Sequence, residues 1–467
     1  SQTLAMAAKA RELRGQGKDV IGLSLGEPDF NIPDFIKEAA KKAIDENYNS
    51  YTPVDGYLDL KKAIIKKFER DNGLIYSPSQ IVVSTGAKQA LYNIASVLIN
   101  PGDEVILPCP YWVSYADIVK LKGGIPVEVK TDIENDFKMT GAQLENAITE
   151  KTKMIWFSSP CNPSGSVYSD EELSALSKVL EDNKNIFIVS DEIYEHINYK
   201  GGHNSIGTYN AVKDRTITVN GVSKAFAMTG WRIGYIGAPE WIARACNKVQ
   251  GQVTSGANCI AQRAVITALN ENPDKIEYMV EEFKARRDLI LELLGEIKGF
   301  NCNIPDGAFY VFPDISHYFG RTIDGFEINN ASDMSMFLLE KALVATVTGN
   351  AFGNPNCIRI SYAASKEQIV EAVKRIKSVI ESWDYLLLQK YGVKTISTVN
   401  SSSLPNNIKK DDHHLAKRGN SKNVFIGPNE PIDGPTFPRL EAETPNADSK
   451  SRPNNAKTIV PIIKESM

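Results

Sequence analysis

The sequence predicts an α/β protein in which a mostly parallel β-sheet is covered by helices on both faces and is followed by a smaller α+β domain. The first observation is that β-rich runs alternate with stretches whose apolar residues recur at helical spacing, which is typical of parallel sheets. The second is that this alternation ends near residue 275, where a long charged helix begins. The β-rich runs are residues 80–84, 103–108, 153–158, 185–190, 215–219 and 232–237, and the helical stretches include 88–99 and 170–181.

The remaining elements define the domain organisation. The later part of the chain predicts helices over 276–297 and 367–390 and strands over 307–312 and 357–362, while residues 1–18 have the pattern of an amphipathic helix. The tail has little periodic hydrophobicity, so it cannot offset the entropy of ordering and is predicted to be disordered. The predicted division is an N-terminal segment joining the small domain (1–40), a large domain (41–285), a small domain (286–390) and a disordered tail (393–467).

Composition argues against several classes of function. The formal net charge is −4 with mixed signs, so no nucleic-acid surface is predicted. The six cysteines contain no C-x-x-C pair and the five histidines form no H-E-x-x-H motif, so no metal site is predicted. Scattered cysteines in a long chain fit a reducing compartment, and we expect a cytoplasmic protein. No apolar run is long enough to cross a bilayer, so no membrane association is expected.

The densest cluster of reactive residue types follows the run at 215–219. Lys224 comes after a strand and a glycine-containing turn, and Arg232 follows eight residues later. A lysine in a partly dry pocket near other cations loses proton affinity and becomes a nucleophile for aldehydes. A single lysine after a strand is usually a surface residue, but small residues, a tryptophan and an arginine crowd this one.

Two loops that follow strands have the composition of ligand-binding turns. Residues 84–90 (STGAKQA) join a strand to a helix, where free N–H groups and the helix dipole can bind a phosphate. Any strand–turn–helix uses glycine, and the segment is neither a P-loop nor a complete G-x-G-x-x-G. In residues 159–165 (SPCNPSG), Pro and Gly restrict the backbone and leave Asn162 free to face a ligand, although a simple structural turn is the alternative.

Two charged residues are predicted at the ends of apolar strands. Asp191 could bind a metal, cap a helix or contact a cationic ring nitrogen, and the scarcity of other metal ligands favours the ring nitrogen. Arg359 lies inside an apolar strand, where an unpaired charge would be costly. Its planar guanidinium suits a carboxylate, which could belong to a ligand or to the protein itself.

Together these motifs resemble the class I aminotransferases of pyridoxal 5′-phosphate (PLP) fold type I, and within them the bacterial aspartate aminotransferase branch. The resemblance covers roughly residues 1–385, and its specificity comes from the agreement of order, spacing and residue type. The matching segments are 25–30 (LGEPDF), 51–53 (YTP), 86–88 (GAK), 110–112 (PYW), 162–165 (NPSG), 191–194 (DEIY), 223–224 (SK), 230–232 (GWR) and 359–362 (RISY).

The resemblance implies roles for individual residues. Lys224 would hold PLP as a Schiff base and move the proton between the substrate Cα and the cofactor, while Asp191 would keep the pyridine nitrogen protonated. Asn162 and Tyr194 would hydrogen-bond the phenolic oxygen, and Trp112 would stack on the ring. The residues implied at the phosphate end are Gly86, Ala87, Lys88 and Arg232, joined by Tyr51 of the other subunit of a homodimer.

The same resemblance implies how substrates bind. Gly26 and Arg359 would hold the α-carboxylate of an amino acid or 2-oxo acid, with Asn162 and Trp112 nearby. Lys88 and Thr3 would contact a distal carboxylate. The predicted reaction is therefore transamination between L-aspartate and 2-oxoglutarate, giving oxaloacetate and L-glutamate.

Other functions on the same scaffold stay open at this point. An aminotransferase for prephenate, aromatic or alanine-like substrates, or a PLP β-lyase, would use the same lysine, and Lys88 and Thr3 argue against these mildly. A PLP-binding regulator without turnover is a third class. No DNA-binding domain is predicted from these residues, and the complete catalytic set favours an enzyme.

Overall fold

The central element of the fold is a seven-stranded sheet. The computed structural model describes the backbone of residues 2–323 and 325–390 and the side chains of residues 8–323 and 325–381. In this part of the chain the strands are β1 (Ile21–Gly22), β2 (Ile81–Ser84), β3 (Glu104–Cys109), β4 (Ile125–Lys130), β5 (Thr152–Ser158), β6 (Phe187–Asp191), β7 (Thr216–Gly221), β8 (Gly234–Gly237), β9 (Tyr310–Val311), β10 (Arg321–Ile323), β11 (Phe326–Ile328), β12 (Val344–Ala345), β13 (Val347–Thr348) and β14 (Ile358–Ser361).

The order of the large sheet is β2-β8-β7-β6-β5-β3-β4, and every neighbouring pair is parallel except those that involve β8. The sheet is therefore mostly parallel, as predicted. Its register aligns Ser158 with Asp191 and Asp191 with Val219, so β5, β6 and β7 end side by side. Ligands in open sheets of this kind bind beyond the carboxyl ends of the strands.

Helices cover both faces of the large sheet. The described helices are α1 (Gln2–Gly15), α2 (Asp34–Asp45), α3 (Leu58–Asn72), α4 (Ala87–Leu98), α5 (Ser114–Leu121), α6 (Gly141–Ala147), α7 (Asp170–Glu181), α8 (Glu240–Val253), α9 (Cys259–Asn270), α10 (Glu277–Gly295), α11 (Ala331–Phe337) and α12 (Lys366–Lys390). Successive side chains of a strand point to opposite faces. In β5, Trp156 packs with Leu91 of α4, whereas Ile155 packs with Leu176 of α7.

Local sequence explains where individual elements begin. The predicted helix over 170–181 coincides with α7, because Ser169 accepts from the Glu172 amide and Glu172 accepts from the Ser169 amide, which forms a capping box. The predicted strand over 232–237 begins two residues late, at Gly234, because Arg232 has a left-handed backbone conformation (φ +57°). A left-handed residue interrupts the extended backbone of a strand.

A smaller region is formed by the C-terminal part of the described chain together with the N-terminal segment. Strands β13, β14 and β9 form an antiparallel sheet, and β10 pairs with β11. Strand β1 pairs in parallel with β12, and Leu13 of α1 packs against Leu339 and Ala345. The domain boundaries given above remain predictions, and residues 393–467 lie outside the described residues. Among the described helices, none has both the length and the apolar character that a bilayer crossing requires.

Candidate active site

A cleft of about 660 Å³ opens where β5, β6 and β7 end. Ser24–Glu27 of the N-terminal segment and Arg359 of β14 complete its walls, so both the large sheet and the smaller region contribute to it. Ten of the residues predicted for the site line the cleft, and they are Gly26, Ala87, Lys88, Trp112, Asn162, Asp191, Tyr194, Lys224, Arg232 and Arg359.

Lys224 lies in the turn after β7, and its ammonium faces the cleft. Nζ donates a 2.5 Å hydrogen bond to the carbonyl oxygen of Gly26. Burial lowers the pKa of Lys224 to about 8, with Glu27 opposing this shift and Arg359 adding to it. A lysine with this pKa has a substantial neutral fraction near pH 8, and the neutral amine is the form that attacks an aldehyde.

Asp191 is the last residue of β6 and is only 4% exposed. Its Oδ2 accepts a 2.7 Å hydrogen bond from the Tyr115 hydroxyl, and its Oδ1 accepts one of 3.3 Å from the Ile193 amide. Burial raises the pKa of Asp191 to about 6, while the bond from Tyr115 opposes that rise. A buried carboxylate with lone pairs still available is suited to a cationic ring nitrogen.

A buried ionic network lies behind Asp191 and fixes the end of β6. Glu192 accepts hydrogen bonds from Ser190, Ser205 and Asn72. Glu195 pairs with the Lys67 ammonium and accepts from Asn72. Although burial opposes ionisation, Lys67 and the two neighbouring histidines hold the pKa of Glu195 at about 2. These acids belong to groups that could hold a metal ion, but Lys67 already compensates the charge of Glu195, so we assign them a structural role.

The start of α4 forms a cationic corner of the cleft. Gly86 precedes the helix with φ +82°, and no side chain caps the helix N-terminus. A Cβ atom at Gly86 would overlap the Arg232 guanidinium, so only glycine allows this approach. Burial and the charge of Arg232 lower the pKa of Lys88. Two cations beside an uncapped helix N-terminus favour an anion, and a phosphate suits this corner.

Arg359 offers a second anion site in the cleft. It is 6% exposed; its Nη1 donates to Asn162 Oδ1 (2.9 Å) and its Nη2 donates to the Ser24 carbonyl oxygen (2.8 Å). Its buried Nε has no hydrogen-bond partner, and no carboxylate of the described residues forms an ion pair with it. Of the two alternatives left open by the sequence, this geometry favours a ligand carboxylate over a protein carboxylate.

Several groups in the cleft were missed by reasoning from the sequence. Tyr115 and Tyr310 each bond a predicted residue, and Ser223 and Thr229 line the cleft near Arg232. Tyr115 lies three residues after Trp112 at the start of α5. Residues at this spacing lie on the same side of a helical turn, so the sequence indicated that Tyr115 faces the cleft together with Trp112. Tyr310 lies in a predicted strand, and nothing in its own sequence context distinguishes it from a core residue.

The three other predicted residues are Gly86, which precedes α4 beside the cleft, Tyr51 and Thr3. Tyr51 is 98% exposed and does not line the cleft. Thr3 lies within α1, but its side chain is outside the described residues.

The donor set fits PLP on observations of this structure. The cleft combines a lysine of lowered pKa, a buried aspartate, a cationic corner beside an uncapped helix N-terminus, and an arginine whose Nε is buried without a partner. These groups match in turn an aldehyde, a cationic ring nitrogen, a phosphate and the carboxylate of a substrate.

Comparison with known proteins identifies relatives along most of the chain. Residues 18–376 match the family model described as aminotransferase class I and II. An aspartate/prephenate aminotransferase of Cereibacter sphaeroides is 49% identical over 385 residues, which are 81% of this chain and 95% of that protein. An aspartate aminotransferase of Bacillus subtilis is 47% identical over 383 residues, covering 82% of this chain and 96% of that protein.

Solved structures agree with this assignment. The aspartate aminotransferase of Rhizobium meliloti superposes with a TM-score of 0.79 at 43% identity, covering 81% of this chain and 95% of the other. A Thermus thermophilus aspartate aminotransferase with maleate superposes with a TM-score of 0.76 at 41% identity, covering 81% of this chain and 96% of the other. The predicted fold class and the predicted resemblance are both confirmed.

Proposed function

The chain belongs to the class I and II aminotransferase family, and from that premise we propose that it transfers the amino group of L-aspartate to 2-oxoglutarate, giving oxaloacetate and L-glutamate. It is a PLP-dependent aminotransferase that acts on amino acids and 2-oxo acids. The proposal adds the preference for acidic substrates and the role of each residue. The observation that carries it is that the cleft holds Lys88 as well as Arg359, so that two substrate carboxylates can each meet a cation while Arg232 serves the phosphate.

The residues that would hold PLP follow from the geometry of the cleft. Asp191 would pair with the ring nitrogen, Trp112 would stack on the ring, and Asn162 and Tyr194 would hydrogen-bond the phenolic oxygen. Gly86, Ala87, Lys88 and Arg232 would surround the phosphate. When bound, PLP supplies an electron sink that stabilises negative charge at the substrate Cα.

Lys224 would have two tasks in the reaction. Its amine would first bind the cofactor aldehyde, which requires the neutral form that its lowered pKa favours. Once the substrate amine takes its place, Lys224 Nζ would be free to remove the proton from the substrate Cα and to return it at the acceptor carbon. A base with a pKa of about 8 is suited to both directions of this transfer near neutral pH.

Arg359 would bind and orient the α-carboxylate of every substrate. Its Nε is buried without a partner, while bonds from Nη1 and Nη2 fix the plane of the guanidinium. A carboxylate in the cleft would accept from the remaining N–H groups of Nη1 and Nη2 and compensate the buried charge. Both half reactions need the same α-carboxylate contact, so one arginine can serve both substrates.

Lys88 would select substrates with a distal carboxylate. Its Nζ lies 4.8 Å from the centre of the Trp112 ring, and burial with Arg232 nearby lowers its pKa. With Arg232 compensated by the phosphate, a distal carboxylate would compensate the charge of Lys88. A dicarboxylate, maleate, is named in the structure of the Thermus relative, which supports a dicarboxylic substrate. Thr3 is proposed as a second contact for the same carboxylate.

Prephenate is a second candidate substrate. The Cereibacter relative is named an aspartate/prephenate aminotransferase, and prephenate also has a carboxylate at a distance from its 2-oxo acid group. Arg359 and Lys88 could bind its two carboxylates. Aspartate remains the proposed donor in either case, because both names include it.

We also propose a homodimer in which Tyr51 contacts the phosphate at the other subunit's site. Its side chain is almost fully exposed in the single chain, as a residue that acts across an interface would be. A cytoplasmic location is proposed as well. It is supported by the six cysteines, all free thiols, of which four are buried.

A substrate panel with a matched pair of variants tests the acidic preference. Aspartate, glutamate, alanine and phenylalanine are compared as donors to 2-oxoglutarate, and prephenate is compared with 2-oxoglutarate as acceptor. We expect Lys88→Met to lower kcat/KM for aspartate by about 10- to 100-fold relative to alanine. Lys122→Met is the control, because Lys122 also lies over an aromatic ring, that of Tyr92, but does not line the cleft. A wild-type enzyme that prefers alanine or phenylalanine to aspartate would refute the proposed specificity.

A further inference from the structure

Tyr310 is the first residue of β9, and its fully buried side chain reaches the cleft from the smaller region. Its hydroxyl lies 2.8 Å from the hydroxyl of Tyr194, and either oxygen could be the donor. The two rings meet edge to face with centroids 6.0 Å apart. Tyr310 therefore touches the residue proposed to bind the phenolic oxygen of PLP.

The direction of the Tyr194–Tyr310 hydrogen bond follows from counting protons. Burial raises the pKa of both hydroxyls, so both groups stay neutral and each has one proton to donate. If Tyr194 donates to an oxygen of the cofactor, its own oxygen can only accept from Tyr310. A Tyr310 hydroxyl that donates to Tyr194 thus directs the Tyr194 proton towards the cleft, and it strengthens that donor through cooperativity.

The ring of Tyr310 makes a second contact, with the substrate side of the cleft. The central carbon of the Arg359 guanidinium lies 4.5 Å from the centre of the Tyr310 ring, which is a cation–π contact. A Cβ atom at Gly26 would come within 2.7 Å of the Tyr310 hydroxyl, so Gly26 lies directly against this side chain. The ring is thus packed between the two groups proposed to hold the α-carboxylate.

We propose that Tyr310 is a positioning residue for both halves of this site. Its hydroxyl orients Tyr194 towards the phenolic oxygen of PLP, and its ring holds the Arg359 guanidinium in the plane that receives the α-carboxylate. The inference rests on the proposed function, because it assumes that PLP and an amino acid occupy the cleft. Since one task uses the hydroxyl and the other uses the ring, two substitutions separate them.

Tyr310→Phe removes only the hydroxyl, and its effect is read from the visible absorbance of lysine-bound PLP as a function of pH. A donor on the phenolic oxygen competes with the protonated imine nitrogen for the electrons of that oxygen. When this donor weakens, the imine holds its proton more tightly, so the pKa of the spectral transition rises. We expect an upward shift of about half a unit or more in Tyr310→Phe. The charged groups near the two tyrosines are Arg359, Asp191, Glu27 and Lys224, whose Nζ lies 5.7 Å from the centre of the Tyr194 ring; Lys224 carries the titrating imine, and all four residues are unchanged in this variant.

Tyr310→Leu removes the ring as well, and its additional effect is read from substrate binding. We expect the dissociation constant of maleate to rise about tenfold beyond any change in Tyr310→Phe, because the guanidinium loses the nearer of its two aromatic contacts and keeps only Phe352, at 5.0 Å. Tyr362→Phe is the matched control. Its hydroxyl forms a similar but only partly buried pair with Tyr199, at 3.1 Å, and Tyr362 does not line the cleft. We expect neither the spectral pKa nor maleate binding to change in the control.

The outcomes separate this inference from the proposed function. If aspartate converts the PLP of the wild-type protein to the pyridoxamine form, but the visible absorbance of Tyr310→Phe has the same pKa as that of the wild type, the hydroxyl role of Tyr310 is refuted. If Tyr310→Leu binds maleate as Tyr310→Phe does, the ring role is refuted. If the wild-type protein binds PLP but does not react with aspartate, the proposed specificity is wrong, while the titration of Tyr310→Phe still decides the hydroxyl role. Tyr310→Phe keeps the shape of the core, so the test does not depend on whether Tyr310→Leu folds.

Discussion

The Tyr115 hydroxyl donates a 2.7 Å hydrogen bond to Oδ2 of Asp191, and both side chains are buried at the end of β6. The bond joins the first turn of α5 to the carboxyl edge of the sheet. It is made to the ionised form of Asp191, and it opposes the rise in pKa that burial causes. Tyr115 thereby helps to keep Asp191 charged where a cationic ring nitrogen would bind.

The first prediction concerns this bond. In Tyr115→Phe the pKa of Asp191 should rise above its present value of about 6, because burial is no longer opposed by the hydroxyl. Apoenzyme of the variant should bind PLP about tenfold more weakly at pH 6.5, with a smaller loss at pH 8.5, where Asp191 is ionised in both proteins. Absorbance titration at the two pH values measures this. Tyr209→Phe, which removes a hydroxyl bonded to Asp170 outside the cleft, is the control and should match the wild type. An equal loss of PLP affinity at both pH values would contradict the claim that Tyr115 acts by keeping Asp191 ionised.

The second prediction concerns the nucleophile. Because burial lowers the pKa of Lys224 to about 8, about a quarter of the amine is neutral at pH 7.5, against about one part in a thousand for an ordinary lysine. The rate at which apoenzyme binds PLP covalently should therefore rise with pH and level off above about pH 8, whereas the rate for Nα-acetyl-lysine continues to rise. Stopped-flow absorbance measures both rates. Because PLP itself titrates in this pH range, the rate with Nα-acetyl-lysine serves to correct the protein's rate for that titration. A rate that still climbs at pH 10 would show that the Lys224 amine is not activated by its surroundings.

The third prediction concerns Arg359. Arg359→Lys keeps the charge but loses the planar guanidinium and its bonds to Asn162 and Ser24. We expect kcat/KM for aspartate to fall by on the order of 100-fold, with maleate binding weakened to a similar extent. Arg244→Lys is the control, since Arg244 forms an exposed pair with Glu240 on α8. An Arg359→Lys variant with unchanged maleate affinity would exclude Arg359 as the carboxylate site.

The fourth prediction concerns the proposed dimer. If Tyr51 acts at the other subunit's site, Tyr51→Ala and Lys224→Ala chains should complement each other when they are unfolded together and refolded as a mixture. In such a mixture about half of the dimers are mixed, and each mixed dimer has one site with both native residues. We therefore expect about a quarter of the wild-type activity per chain, well above that of either variant alone. Activity no greater than the average of the two parents would argue that Tyr51 has no role across the interface.

The sequence was sufficient to predict which charged residues lie at the ends of strands, because their position depends only on the strand that precedes them. Lys224 and Asp191 follow or end apolar strands of the parallel part of the large sheet, and parallel strands end at one edge, so their convergence was predictable. Arg359 lies in the antiparallel strand β14 of the smaller sheet, so its approach to the same cleft did not follow from this rule. The strand β4 was missed; it is an edge strand in which half of the residues are exposed, and it includes Pro126. Its residues Ile125, Val127 and Val129 do alternate with less apolar ones, which is the pattern of a half-buried strand, but a proline within so short a run argues against any strand other than an edge strand.

The contacts between distant segments could not be predicted from the sequence. Tyr115 and Asp191 are 76 residues apart, and Tyr194 and Tyr310 are 116 residues apart. Each pair depends on how one element packs against another, and either tyrosine partner could equally have been an ordinary core residue. For the same reason, the unpaired Nε of Arg359 became visible only in the folded chain. That observation favours a ligand carboxylate over a protein carboxylate.

The most direct test of the central claim is the absorbance spectrum of the PLP-loaded protein before and after aspartate is added alone, with Lys224→Ala in parallel. We predict that the visible band of lysine-bound PLP converts to the pyridoxamine form in the wild type, with oxaloacetate released in equal amount. Lys224→Ala, which lacks the amine that forms this link, should show neither the lysine-bound band nor catalytic turnover. A wild-type protein that forms no such band with PLP, or a Lys224→Ala variant that still turns over, would contradict the account.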